Sequence, residues 1–220
     1  MKNLLLIFFL LQSTSALLAQ QTVFLPDSLS PNGIVLSEGW KFHAGDNPKW
    51  AKSDFDDSKW ESIDPTMDLG DLPQTRKEAI GWFRIRFKVD SSLINKPLAF
   101  QVYQSIASEI YLNGKLLKKY GIVSSKGQEA VGFQPHNEPE GILFSSTEQT
   151  LAVRFSVQPN LPYFFYIRPY RVLEFRFNTV YDSIYVKNFE TRHFGLNCFE
   201  AGLFLLLALI HLIFFINYPK

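Results

Sequence analysis

The chain has 220 residues, a formal net charge of +1 from 22 basic and 21 acidic side chains, 15% aromatic residues and one cysteine. A near-neutral balance gives no electrostatic basis for a polyanion partner, so nucleic acid is not expected. One cysteine, Cys198, excludes an internal disulfide, and stability must come from an aromatic-rich core.

The chain opens on Met1-Lys2-Asn3, then the apolar run Leu4–Leu11, then small and polar residues up to Ala19. The run is too short to cross a bilayer, which needs about 20 residues. This is the layout of a secretory signal peptide over residues 1–19, cut after Ala19. An exported domain is expected over 20–180, a juxtamembrane connector over 181–198 and a transmembrane helix over 199–217.

Within 20–180 the dominant signal is alternation with period two. Phe83-Arg84-Ile85-Arg86-Phe87-Lys88-Val89 alternates apolar and basic residues, the mark of a half-buried strand. Leu98–Tyr103 and Leu151–Val157 behave alike. Glu109–Leu112 and Lys115–Leu117 flank Asn113-Gly114, whose two turn positions need positive φ, so a hairpin is expected there. Tyr163–Ile167 and Arg171–Phe177 extend the series, and Tyr181–Val186 alternates well enough for a last strand. Gly and Pro punctuate the gaps. The pattern predicts an all-β fold, a jelly-roll β-sandwich followed by a single C-terminal transmembrane helix. Trp40 and Trp60 are expected in the core.

The connector 181–198 is aromatic and charged, suited to a membrane interface, with room for a short helix. Beyond it, Phe194–Ile216 is long and apolar enough to span. Export of the N-terminal domain puts the C-terminus in the cytoplasm, with Lys220 on the positive-inside side. Glu200 and His211 are eleven residues apart, hence about 20° apart around a helix. Ala201 and Ala208 lie beside them. Ionisable and small residues on one face predict packing against other transmembrane helices, with a solvated place at the outer interface as the alternative for Glu200. The sequence supplies one span, so these are expected from an oligomer or from a longer protein of which this is the front part.

Three elements occur in order: Gly39-Trp40-Lys41-Phe42-His43-Ala44-Gly45-Asp46; Asp54-Phe55-Asp56-Asp57-Ser58-Lys59-Trp60; and Gly81-Trp82-Phe83-Arg84-Ile85-Arg86-Phe87 with the Asn113-Gly114 hairpin and Gly121. Together they resemble the N-terminal sugar-binding jelly roll of family 2 glycoside hydrolases, a member of the galactose-binding-like superfamily, over residues 36 to 157. The resemblance implies a non-catalytic module, because in that family the catalytic carboxylates belong to a separate barrel domain. Led by a signal peptide and followed by a membrane helix, the plan also resembles the exported sensing region of bacterial seven-transmembrane receptors and membrane sensor kinases.

Galactose-binding-like domains often carry a structural Ca²⁺. Asp46, Asp54, Asp56 and Asp57 are its weak candidate ligands here, against the alternative that Asp56-Asp57-Ser58 is a self-capping turn. No other cofactor is implied. No zinc spacing, Ser-His-Asp set or Gly-rich phosphate loop occurs, so no catalytic residue is expected. The Gly/Pro-rich segment 124–141 offers Gln134, His136, Asn137 and Glu138 to sugar hydroxyls, with Trp82 as a stacking platform. The alternatives are an ordinary crossover and a core tryptophan.

The expected function is the non-catalytic, exported sensing domain of a bacterial inner-membrane receptor. It would bind a carbohydrate-like ligand or an envelope protein and relay to a transmembrane bundle. The rival is a membrane-tethered carbohydrate-binding or adhesion module without signalling. The reading frame beyond Lys220 separates the two.

Overall fold

The computed structural model describes residues 22–24, 29, 32–76, 80–126, 129–135, 138–158 and 171–218. The expected signal peptide, the strand over 163–167, His136 and Asn137 lie outside these residues.

Among the described residues, eleven strands and one long helix follow in chain order: β1 (Thr22–Phe24), β2 (Ile34–Val35), β3 (Lys41–Ala44), β4 (Glu61–Ser62), β5 (Gly81–Val89), β6 (Leu98–Gln104), β7 (Ala107–Leu112), β8 (Lys115–Tyr120), β9 (Glu140–Ile142), β10 (Glu148–Ser156), β11 (Leu173–Thr179) and α1 (Val180–Asn217). One sheet has the order β4-β3-β5-β10-β7-β8, with β1 pairing in parallel with β5. The other has the order β2-β11-β6-β9. All other pairs are antiparallel. The two sheets stack as a jelly-roll-type β-sandwich, an all-β architecture with one apolar helix at its C-terminus.

Alternation explains the core. Phe83, Ile85 and Phe87 of β5, Leu151, Val153 and Phe155 of β10, Phe100 and Val102 of β6, and Phe175 and Phe177 of β11 all point inward and are buried together. Phe83 lies flat on Phe155, with 4.3 Å between ring centroids. Trp40 joins this cluster and donates its indole N–H to Leu36 O at 2.9 Å. The β7–β8 hairpin turns at Asn113 and Gly114 with φ of 51° and 80°, as the Asn-Gly pair requires.

The outward face of the first sheet is not solvated as simple alternation predicts. Residues 45–60 fold across it. Trp60, Trp82, Ile80, Ala51 and Ala152 form a second buried cluster, with Trp50, Phe55 and Tyr111 against it. Arg84, on the same face, is fully buried.

The connector does not form a separate element. The expected strand over Tyr181–Val186 is instead the first turns of α1. Thr179 caps them: its Oγ1 accepts from Asp182 N at 3.0 Å and donates to Asp182 Oδ2 at 2.6 Å. A strand-like alternation thus yields to a strong helix start placed directly after β11. α1 packs against β6 and β11, with Ser183 sealed beneath it. Beyond Lys187 every described helix residue is exposed to the surroundings. Its 38 residues reach about 57 Å, enough for the packed turns and a full membrane crossing. None of its apolar window is buried in the protein.

Candidate functional site

Of the candidate ligand residues that the structure describes, Glu138 lines a cleft and Trp82 does not. Trp82 has 0% exposure. Its ring stacks on Tyr111 at 5.6 Å and meets Trp50 edge-on at 6.2 Å, so it has no face left for a sugar. Residues 45–60 cover it, which a strand-start tryptophan does not reveal by itself. Gln134 is half-buried and Glu138 exposed, both in the 129–141 region that lines a cleft.

Three of the four candidate aspartates have other partners, and Asp54 is exposed. Asp57 accepts from Arg84 Nε at 2.9 Å and from Arg86 Nη1 at 2.5 Å. Asp46 accepts from Arg154 Nε at 2.8 Å and from Arg154 Nη2 at 2.7 Å. Asp56 Oδ1 accepts from Ser58 N at 3.0 Å, closing the expected turn. For Asp57 and Asp46, guanidinium groups supply the positive charge that a cation would. Among the described residues no three His, Cys, Asp or Glu gather as a metal requires.

The cleft lies at the open edge of the sandwich, where β8, the last strand of one sheet, faces β9, the last strand of the other. Its volume is about 300 Å³, and Tyr120, Phe133, Pro135, Lys118, Glu138 and Glu140 line it. The Lys118 ammonium pairs with the Glu140 carboxylate and ties the sheets together across this edge. Tyr120, 5% exposed, forms a buried wall. Phe133 stacks on it with centroids 5.9 Å apart and planes 6° from parallel, yet remains 49% exposed.

The loop that carries Phe133 is held by the backbone. Ile122 and Val131 exchange N–H···O bonds of 2.9 and 3.1 Å. Gln104 Nε2 donates to Phe133 O at 3.0 Å, and Gln158 Oε1 accepts from Gly132 N at 3.0 Å. Phe133 N donates to Ile106 O at 3.2 Å. A half-exposed aromatic ring on a pinned loop presents a rigid apolar face to the cleft.

Charges around the cleft cancel in pairs. Besides Lys118–Glu140, Lys119 meets Glu109 at 2.7 Å and Glu138 meets Lys187 of α1 at 2.7 Å. The last pair joins the lip of the cleft to the helix. Burial, then the negative charge of Glu140 and Glu138, push the Tyr120 hydroxyl pKa well up, so it stays protonated.

Among the residues that line or brace this cleft the sequence offered Glu138 and did not mark Phe133, Tyr120, Lys118, Glu140 or Lys187. Gly132-Phe133 inside a Gly/Pro-rich loop was the available signal. The helix residues Glu200, Ala201, Ala208 and His211 are all exposed on α1. His211 Nδ1 lies 2.9 Å from Leu207 O, a contact within its own helix.

No family model and no curated protein matches the chain. Solved structures do. A β-glucuronidase from Bacteroides uniformis matches at 21% identity and a TM-score of 0.43, over 66% of this chain and 18% of that one. A glycosyl hydrolase family 2 member from Bacteroides cellulosilyticus matches at 18% and 0.43, over 67% and 21%. A β-glycosidase from Bacteroides vulgatus matches at 19% and 0.42, over 66% and 20%. The chain therefore spans about a fifth of the length of these enzymes.

Proposed function

We propose that this chain is the non-catalytic, exported sensing region of a bacterial inner-membrane receptor, taking a neutral carbohydrate-like ligand in the β8–β9 cleft and passing the event to a transmembrane bundle. The observation that carries the reading is the placement of Phe133 and Glu138. One offers a pinned, half-exposed ring to a ligand, and the other, on the same lip, is paired to Lys187 on the helix that runs toward the membrane.

Three further features support it. α1 leaves the sandwich without a break, so movement of the lip has a stiff element to act on. A ligand can shift that element only if it binds one arrangement better than the other. Glu200 and His211 share a face of the same helix and favour packing against further helices over contact with lipid alone. Pairwise cancelled charges favour an uncharged ligand over a uronic acid or a phosphate.

The test uses the full chain in phosphatidylcholine nanodiscs against an array of neutral hexose and hexosamine oligosaccharides. Saturable binding that Phe133→Ala abolishes is expected. No binding to any neutral glycan, or binding indifferent to Phe133, would overturn the proposal. Glu200→Ala and His211→Ala should leave that binding intact while reducing helix association in the membrane.

A further inference from the structure

Tyr120 poses a problem that the fold alone does not solve. Its ring is fully employed: Phe133 stacks on one side, and Lys118 Nζ sits 5.8 Å from the ring centroid. Its hydroxyl is shielded from solvent and finds no hydrogen-bond partner among the described residues. A phenol can donate one hydrogen bond and accept others, and buried tyrosines ordinarily do so. Leaving such a group unpaired costs free energy that phenylalanine, with the same ring, would not incur. Packing therefore accounts for the ring and leaves the hydroxyl unexplained.

Three observations define what would complete it. The hydroxyl is closed off from solvent but belongs to a residue that lines the cleft, so a partner from outside the chain reaches it only as the cleft opens around a ligand. Burial and the nearby Glu140 and Glu138 keep it in the O–H form, so it enters as a donor. Those carboxylates, each already paired with a lysine, disfavour a second anion beside them.

We infer that Tyr120 is a specificity-determining residue of the cleft, its hydroxyl donating to an uncharged oxygen of the ligand, a sugar hydroxyl or ring oxygen, while Phe133 packs on the ring of that sugar. This rests on the reading of the cleft as the ligand site. Phe133 supplies adhesion that many apolar faces would share. Tyr120 supplies discrimination, because a ligand lacking the matching oxygen leaves the donor as orphaned as it is in the free protein.

The experiment compares the full chain with Tyr120→Phe in the same phosphatidylcholine nanodiscs. Without ligand, Tyr120→Phe should raise the Tm of the sandwich by about 2–5 °C, because an unpaired buried donor is removed. On the neutral-glycan array it should weaken binding about tenfold, the worth of one lost hydrogen bond. It should not weaken binding of the one deoxy analogue that lacks the accepted oxygen. A Tm that falls or stays level means that water or protein already serves the hydroxyl, and overturns the assignment. A Tm that rises while glycan binding is unchanged overturns it too, and leaves the proposed sensing function standing. Silence of the unaltered chain on the array overturns both.

Discussion

Arg84 Nε donates to Asp57 Oδ2 at 2.9 Å with both side chains closed off from solvent. The same guanidinium donates to Trp50 O and lies over the Phe55 ring, 5.6 Å from its centroid. One arginine thus gathers the 45–60 segment onto the outer face of the first sheet. Burial drives its pKa down, and the bond to Asp57 opposes that shift. The pair acts as the fastener of the aromatic cluster around Trp60 and Trp82.

Removing one partner should be far worse than removing both. Asp57→Ala strands a buried cation and should cost about 3–5 kcal/mol. Asp57→Ala combined with Arg84→Met should recover a large part of the loss. Urea denaturation followed by tryptophan fluorescence measures both. A single variant as stable as the parent would refute the fastening role.

The outer-face network should make stability fall in acid. Arg154 holds the Asp46 carboxyl below its usual 3.8. Burial pushes Glu109 up, but hydrogen bonds from Lys119, Arg154 and Tyr111 prevail, and it too lies below its usual 4.5. Burial and Glu109 together push the Tyr111 phenol up to about 12, so it remains a donor. A carboxylate held lower in the fold than in the unfolded chain adds stability above the unfolded pKa, and this is lost as pH falls through the folded value. The urea midpoint should therefore hold steady from pH 7 to about 5 and drop below that. Arg154→Met should shrink the drop; an identical acid profile would count against the network.

Gly121 stands where a side chain cannot. Its φ is +72°, and an added Cβ would lie 2.1 Å from Val131 O. Gly121→Ala should cost more than about 1 kcal/mol and pull apart the Ile122–Val131 bridge that seats Phe133. Thermal denaturation together with faster amide exchange over 129–135 would register this. Unchanged exchange would mean that the loop is held elsewhere.

The Glu138–Lys187 pair should be weak but measurable. Its carboxylate is exposed, so breaking it costs at most about 1 kcal/mol. Lys187→Glu should raise amide exchange over 138–142 roughly two- to fivefold. Adding Glu138→Lys should restore protection, which separates this pair from the other interactions of Lys187. Exchange that ignores Lys187→Glu would leave the lip and the helix uncoupled.

Much of the fold was legible in the residues. Alternation marked β5, β6, β10 and β11 to within a few positions, and Asn113-Gly114 marked its hairpin. Local chemistry decides such features: a pleat turns every second side chain one way, and an Asn-Gly pair tolerates positive φ. The apolar Phe194–Ile216 stretch likewise announced its helix, although the helix start at Thr179 overrode the strand-like spacing of 181–186.

What alternation could not report was which faces become covered. Arg84, Arg86 and Lys88 read alike along β5, yet Arg84 is sealed while Lys88 stays in water. Trp82 reads from the sequence as either a platform or a core residue, and it is core. Burial on an outer face depends on a segment more than twenty residues away folding back across it, and period two contains no term for that. The cleft is of the same kind. Tyr120 and Phe133 are thirteen positions apart, and Glu138 and Lys187 forty-nine, so neither spacing is periodic. Strand identity and the membrane-length helix follow from neighbours along the chain. The ring platform, the unpaired phenol and the ion pair to the helix exist only because two sheet edges meet.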